Sequence, residues 1–196
     1  MSRQLDRQEL WHEITSKILR MCKGKIGDKT LLIVDTSDIS KPYAKKMEYL
    51  GRVRDGSKKE LADGYWTMHV IGGETVSSEK MPLYSRLYSA KAPDFEGENA
   101  ERLKAVRRVC IGVGNKGIWV MDRGGDRGWL YDYFLDQRLQ FIIRLKGDRH
   151  LVYRGKKILA VDLARCCSLP YVESLIREES QGEKRYDIAY GFYPWM

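Results

Sequence analysis

The sequence predicts an α/β fold: a mixed sheet flanked by helices, with a β-rich stretch beginning near the C-terminal end. Three observations carry that prediction. Residues 30–34 (TLLIV), 117–121 (GIWVM) and 140–145 (QFIIRL) are short apolar runs of the kind that form strands buried on both faces. Segments with apolar residues at helical spacing stand before and between them. Two aromatic-rich segments of strand character lie between the first run and the second.

The elements follow in order. Leu10, Trp11, Ile14, Ile18, Met21 and Cys22 recur at helical spacing, so residues ~7–22 read as an amphipathic helix that stops at Gly24 and Gly27. Residues 30–34 form the first buried strand, which ends on Asp35. A long polar and basic connection occupies residues 36–63. Residues 65–71 (YWTMHVI) and 83–89 (LYSRLYS) are strands separated by Gly72, Gly73 and Pro82. A helix over residues 98–111 turns Leu103, Val106 and Cys110 inward. The second buried strand, residues 117–121, also ends on an aspartate, Asp122. Trp129, Leu130, Tyr133 and Phe134 mark a helix over residues 126–138, and residues 140–145 form the third buried strand. Residues 151–163 alternate around Arg154, Gly155 and Lys156 as a hairpin. One strand, a two-strand meander, then helix, strand, helix, strand is the element order of a ribonuclease H-like sheet. Residues 1–150 are assigned to that core, and residues 151–196 follow it as a further stretch of strand character.

Composition bounds the function. The chain has 196 residues, 43% of them hydrophobic, with five Trp and twelve Tyr, too much aromatic bulk for a disordered or low-complexity chain. No apolar run approaches the ~18–20 residues of a membrane span. The N-terminal MSRQLDRQELWHEI is mixed in charge and unlike a signal peptide, which predicts a cytoplasmic, reducing location. Cys22, Cys110, Cys166 and Cys167 form no CxxC pair and read as free thiols. The net charge is +8, with a pI near 9.3. Residues 41–59 hold seven bases (Lys41, Lys45, Lys46, Arg52, Arg54, Lys58, Lys59) against Glu48 and Asp55. Residues 144–157 hold six (Arg144, Lys146, Arg149, Arg154, Lys156, Lys157) against Asp148. Each segment nets +5, so the remainder of the chain nets −2. That distribution is the electrostatic footprint of a polyanion-binding surface, although two solvated faces would give the same count.

The two strand-ending aspartates are the chemical signal. A carboxylate at the end of a buried strand is costly unless paired, and the carboxyl ends of central strands are where open α/β sheets bind ligands. On neighbouring parallel strands Asp35 and Asp122 would lie about 5 Å apart and suit a divalent cation with hard oxygen ligands, Mg²⁺ or Mn²⁺. The spacing alone also fits two turn-forming aspartates. Asp38 either faces the same ion or begins a turn. His12, His69 and His150 are scattered, with His69 read as a core histidine, and no GxSxG motif is present. Residues 112–117 (GVGNKG) match GxGxxG, but they follow a helix and precede a strand, the reverse of a phosphate-binding loop. A nucleotide-dependent α/β enzyme is therefore the weakest reading.

LLIVDTSDISKP, DGSKKELADGYW, VMDRGGDRGWLYDYF and FIIRLKGDR together resemble the DDE transposases of bacterial insertion sequences, specifically the IS-four group. The resemblance spans residues 29–193. It implies a ribonuclease H-like fold, with Asp35 and Asp122 as the first two catalytic, metal-holding acids and residues 151–196 as the start of the family's β-rich insertion. It also implies Mg²⁺ or Mn²⁺, metal-dependent phosphodiester cleavage and strand transfer, and a homodimer in a synaptic complex. The partner would be DNA at transposon ends and targets, in a nucleoid-associated, membrane-free setting. DNA contacts are assigned to Lys41, Lys45, Lys46, Arg52, Arg54, Lys58, Lys59, Arg123, Lys146 and Arg149. The family's third acid is a glutamate in a Tyr-x2-Arg-x3-Glu-x6-Lys pattern, and no stretch here fits it. About 29 residues precede the first catalytic strand, and no counterpart of the family's separate N-terminal DNA-binding region is expected among them. The expectation is a truncated homologue with little activity of its own, and the alternative is a non-catalytic, DNA-binding remnant.

Overall fold

The computed structural model describes residues 8–44, 46–55, 60–74, 79–180 and 182–191. Lys45, Lys58 and Lys59 lie outside the described residues. Among these residues no helix is long and apolar enough to cross a membrane. The chain divides into two compact units, Met1–Arg144 and Leu145–Met196.

The first unit is mixed α/β, with α1 (Gln8–Cys22), β1 (Leu31–Ser40), β2 (Gly51–Asp55), β3 (Glu60–Gly73), β4 (Lys80–Tyr88), α2 (Glu98–Val113), β5 (Ile118–Met121), α3 (Gly128–Asp136) and β6 (Gln140–Ile143). The strands form one mixed sheet in the order β2-β3-β1-β5-β6, and β4 shares the outer edge of β3 with β2. β1 pairs antiparallel with β3 and parallel with β5, and β5 pairs parallel with β6. The alternate residues Leu32, Val34, Met68, Val70, Trp119 and Met121 are buried and join helix residues Leu19, Val106, Val109, Leu130 and Phe134 in one core. Trp119 and Phe134 stack with centroids 6.0 Å apart, which fixes α3 against β5.

Several expectations are corrected. β1 does not stop at Asp35 but continues to Ser40 along β3. The apolar run ends at Val34 because the parallel pairing with β5 ends there, at Val34 opposite Met121. Past that point β1 needs only backbone partners on β3, so polar residues are tolerated. The supposed connection over residues 36–63 accordingly contains the end of β1, all of β2 and the first residues of β3. In α1 the buried positions are Thr15 and Leu19, while Ile14 and Met21 are exposed; the helix is rotated about one residue from the apolar stripe. In α2 the buried stripe is Glu101, Arg102, Ala105, Val106, Val109 and Val113; of the expected Leu103, Val106 and Cys110, Val106 is buried, Cys110 packs half-buried against the core and Leu103 is half-buried at its side. The glycine connection over residues 112–117 joins α2 to β5, with Gly114 and Gly117 at φ +85, as a helix C-cap loop requires.

The second unit holds β7 (His150–Tyr153), β8 (Lys156–Leu159), α4 (Ala160–Arg165), β9 (Tyr171–Glu179) and β10 (Gly182–Tyr190). β7 and β8 form a hairpin whose two loop residues, Arg154 and Gly155, have φ of 50 and 73, the geometry of a type I′ turn. The predicted hairpin over residues 151–163 is therefore half correct, since Ala160 onward is helical. β9 and β10 form a long antiparallel hairpin, closed at its base by Tyr171 stacked on Tyr190.

Candidate metal centre

The parallel register of β1 and β5 sets the site. Val34 stands opposite Met121 as the last parallel pair, so Asp35 and Asp122 follow at the same level, Asp35 still paired with β3 and Asp122 just past the end of β5. Adjacent strands are separated by ~4.8 Å. Both aspartates line one cleft of ≈ 100 Å³, shared with Thr36, Arg102, Gly124 and Gly125. Both are exposed, and each Oδ1 accepts one backbone N–H: Asp35 from Thr36 at 2.9 Å, Asp122 from Gly124 at 2.8 Å. The Asp122 bond belongs to the 3₁₀ turn Arg123–Gly125, which Asp122 caps. These bonds engage Oδ1 of each carboxylate and do not involve its second oxygen.

The glycines after Asp122 stand in crowded positions, Gly124 against side-chain ends and Gly125 against the fixed Cβ of Met121. A Cβ on Gly124 would stand 2.9 Å from Asp122 Oδ1 and 3.4 Å from Arg102 Nη2. A Cβ on Gly125 would meet Met121 Cβ at 2.6 Å. Asp126, four residues after Asp122, is fully buried and accepts from Tyr131 Oη at 3.1 Å, tying the turn to α3.

Two hard carboxylate donors on neighbouring strands, neither in an ion pair among the described residues, fit a Mg²⁺- or Mn²⁺-type ion. Among the described residues no group of three or more His, Cys, Asp or Glu is placed to hold a metal. His69 is half-buried rather than a core residue, and it stands directly across the β1–β3 ladder from Asp35. Cross-strand partners leave the same face of a sheet, so it is a neighbour of the site that its sequence position did not reveal.

Of the residues assigned to DNA, Arg52 and Arg54 lie on the exposed face of β2, on either side of buried Val53, and Arg52 is 3.4 Å from Asp63. Lys41 and Lys46 are exposed in the connection between β1 and β2. Arg123 is exposed beside Asp122. Lys146 and Arg149 belong to the second unit, in the turn before β7.

Arg102 is the residue that the sequence reading missed. It is only 8% exposed, and its Nη1 is buried without a hydrogen-bond partner among the described residues. The signal was present: an arginine at the head of the stripe continued by Ala105, Val106, Val109 and Val113. Its neighbour Glu101 is engaged elsewhere, with Lys104 Nζ at 3.1 Å and Arg86 Nε at 3.3 Å. Tyr88 Oη is likewise buried without a hydrogen-bond partner, and burial pushes its pKa up to about 12.

The fold and site thus define a mixed α/β unit with paired carboxylates at the rim of two central parallel strands. No family model and no curated protein matches the chain. Among solved structures it is similar to a chain of the piggyBac transposase synaptic complex with hairpin DNA, seen by cryo-EM, at 12% identity and a TM-score of 0.46. That match covers 96% of this chain and 40% of the transposase chain, so the present chain spans about two-fifths of that protein's length.

Proposed function

We propose that the first unit is a ribonuclease H-like core carrying the first two acids of a DDE-type transposase site, with DNA as its substrate. The observation that carries this reading is the pair Asp35 and Asp122 on adjacent parallel strands, lining one cleft. The meander β1–β3–β4 followed by α2, β5, α3 and β6 supports the fold assignment.

In this reading Asp35 and Asp122 hold a divalent ion, which when bound supplies charge neutralisation at a phosphodiester and a more acidic water. The N–H groups of Thr36 and Gly124 keep both carboxylates aimed into the cleft. Lys41, Lys46, Arg52 and Arg54, with Lys45, Lys58 and Lys59, hold backbone phosphates, and so do Arg123, Lys146 and Arg149. We read the chain as having little turnover of its own because its sequence offers no stretch that fits the Tyr-x2-Arg-x3-Glu-x6-Lys pattern of the third acid. The same observation supports a second reading, a transposase-derived module that binds DNA without cutting it.

The test is Mn²⁺ binding by the whole chain, followed by electron paramagnetic resonance, together with nicking of supercoiled plasmid. Wild type and Asp132→Asn should bind Mn²⁺, Asp35→Asn and Asp122→Asn should not, and none should nick at an appreciable rate. Binding that survives both site substitutions overturns the metal reading. Nicking that both substitutions abolish overturns the low-turnover expectation and means that another acid, such as Glu173 or Glu178, or a second chain completes the site.

A further inference from the structure

We propose that Arg102 is an anion-binding residue of the two-aspartate cleft, and that its ligand is a non-bridging oxygen of a phosphodiester. The proposal rests on the reading of Asp35 and Asp122 as metal ligands.

The argument begins with burial. Arg102 sits on the inward stripe of α2, where every later position is Ala or Val, and it is more than nine-tenths buried. A guanidinium in that setting should be fully paired, because a buried donor left unmade keeps its whole desolvation penalty. Yet Nη1 has no hydrogen-bond partner, and neither Asp35 nor Asp122 forms an ion pair with it among the described residues. Glu101, one residue earlier, is held by Lys104 and Arg86 and so does not serve it. Helix packing therefore holds a cation against the cleft with Nη1 unpartnered among the described residues.

The cleft supplies the rest. Nη2 lies beside Gly124, where a Cβ would come within 3.4 Å of it and 2.9 Å of Asp122 Oδ1, so the missing side chain keeps open the space between carboxylate and guanidinium. Two carboxylates and one guanidinium sum to −1. A bound divalent ion turns that to +1, which favours one singly charged phosphodiester. The planar fork of an arginine matches two oxygens of such a group better than an ammonium does. A merely structural Arg102 would be paired with protein; this one is placed to be paired by substrate.

The test separates the two roles by opposite signs. The probe is the dinucleotide thymidylyl-thymidine, which carries a single phosphodiester, and its uncharged methylphosphonate analogue. Binding is read from ³¹P line broadening with Mn²⁺ present and absent. Arg102→Gln should weaken binding of the diester about tenfold or more, leave the methylphosphonate unchanged, and tighten Mn²⁺ binding, because a cation that opposes the metal has been removed. Arg102→Lys, which keeps the charge and loses the fork, should fall between. Equal weakening of both dinucleotides, or unchanged affinity for the diester, overturns the proposal, as does Mn²⁺ binding that weakens with the diester. If Arg102→Gln does not fold, the diester-to-methylphosphonate ratio of Arg102→Lys decides by the same rule. Should wild type fail to bind Mn²⁺ through Asp35 and Asp122, the metal reading falls, and the ratio measured without metal still judges Arg102.

Discussion

Replacing Gly124 by alanine should damage the metal site and spare the fold, whereas the same change one residue later should do the reverse. Gly124 does not have a positive φ, so alanine is tolerated by the backbone. Its new Cβ would stand 2.9 Å from Asp122 Oδ1, half an ångström inside the 3.4 Å at which ordinary contact begins, so the carboxylate must shift. A carboxylate at the end of a short side chain can rotate away, but only by giving up the 2.8 Å bond from Gly124 N–H that aims it. Such a bond contributes about 0.5–1.5 kcal/mol, which corresponds to a roughly two- to tenfold rise in the Mn²⁺ dissociation constant. The melting temperature should stay within a few degrees of wild type. At Gly125 the new Cβ would lie 2.6 Å from Met121 Cβ and 2.9 Å from its sulfur. Met121 is buried in the core, and its Cβ is fixed by the β5 backbone. Overpacking of this kind costs about 1–3 kcal/mol, a fall of about 2–4 °C for each kcal/mol in a chain of this size. Manganese titration followed by paramagnetic resonance, paired with thermal melts by circular dichroism, reads both quantities. Unchanged Mn²⁺ affinity in a folded Gly124→Ala protein would refute the reasoning, since Asp122 would then not need its orientation to bind.

Further outcomes follow from the rest of the first unit. Lys46→Ala and Arg54→Ala should each flatten the slope of log K against log salt for duplex DNA by about 0.9, while Arg52→Ala should do less because Asp63 already lies 3.4 Å from that guanidinium; anisotropy titrations between low and moderate salt measure it, and an unchanged slope would remove β2 from the phosphate surface. Burial pushes the Cys110 thiol up to about 11, so at pH 8 iodoacetamide should modify the exposed Cys166 well before Cys110, as peptide mass spectrometry would show; equal rates would contradict the packing of α2. Gly117→Ala should lower stability by about 1–2 kcal/mol or more, because φ is +85 and the Cβ would meet Thr30 O at 2.9 Å and Leu32 Cγ at 2.9 Å. Urea unfolding would check that, and a neutral result would mean that the entry into β5 differs from the one described.

The sequence by itself determined the parts governed by local pattern. Three apolar runs located β1, β5 and β6, but the expectation of burial on both faces is corrected: Leu32, Val34, Trp119 and Met121 enter the core while Ile33 and Ile142 on alternate positions are exposed. The glycines at 114 and 117 marked a turn, and Arg154-Gly155 marked a tight hairpin, since both need positive φ. Asp35 and Asp122 stood out because a charge that abruptly follows an apolar run signals where burial stops. What only the tertiary structure decided depends on which elements become neighbours. The true length of β1 depended on β3, whose backbone carries it past Asp35 to Ser40 without help from side chains. Helix rotation depended on what lay beneath each helix: Ile14 and Met21 belong to the apolar stripe of α1 and are exposed, while the charged Glu101 and Arg102 of α2 are buried. The cleft itself, with Asp35, Asp122, Arg102 and Gly124 drawn from three separate stretches of chain, exists because parallel pairing of β1 with β5 and packing of α2 bring them to one place. Residue type announces a charge, but only long-range packing determines what that charge faces.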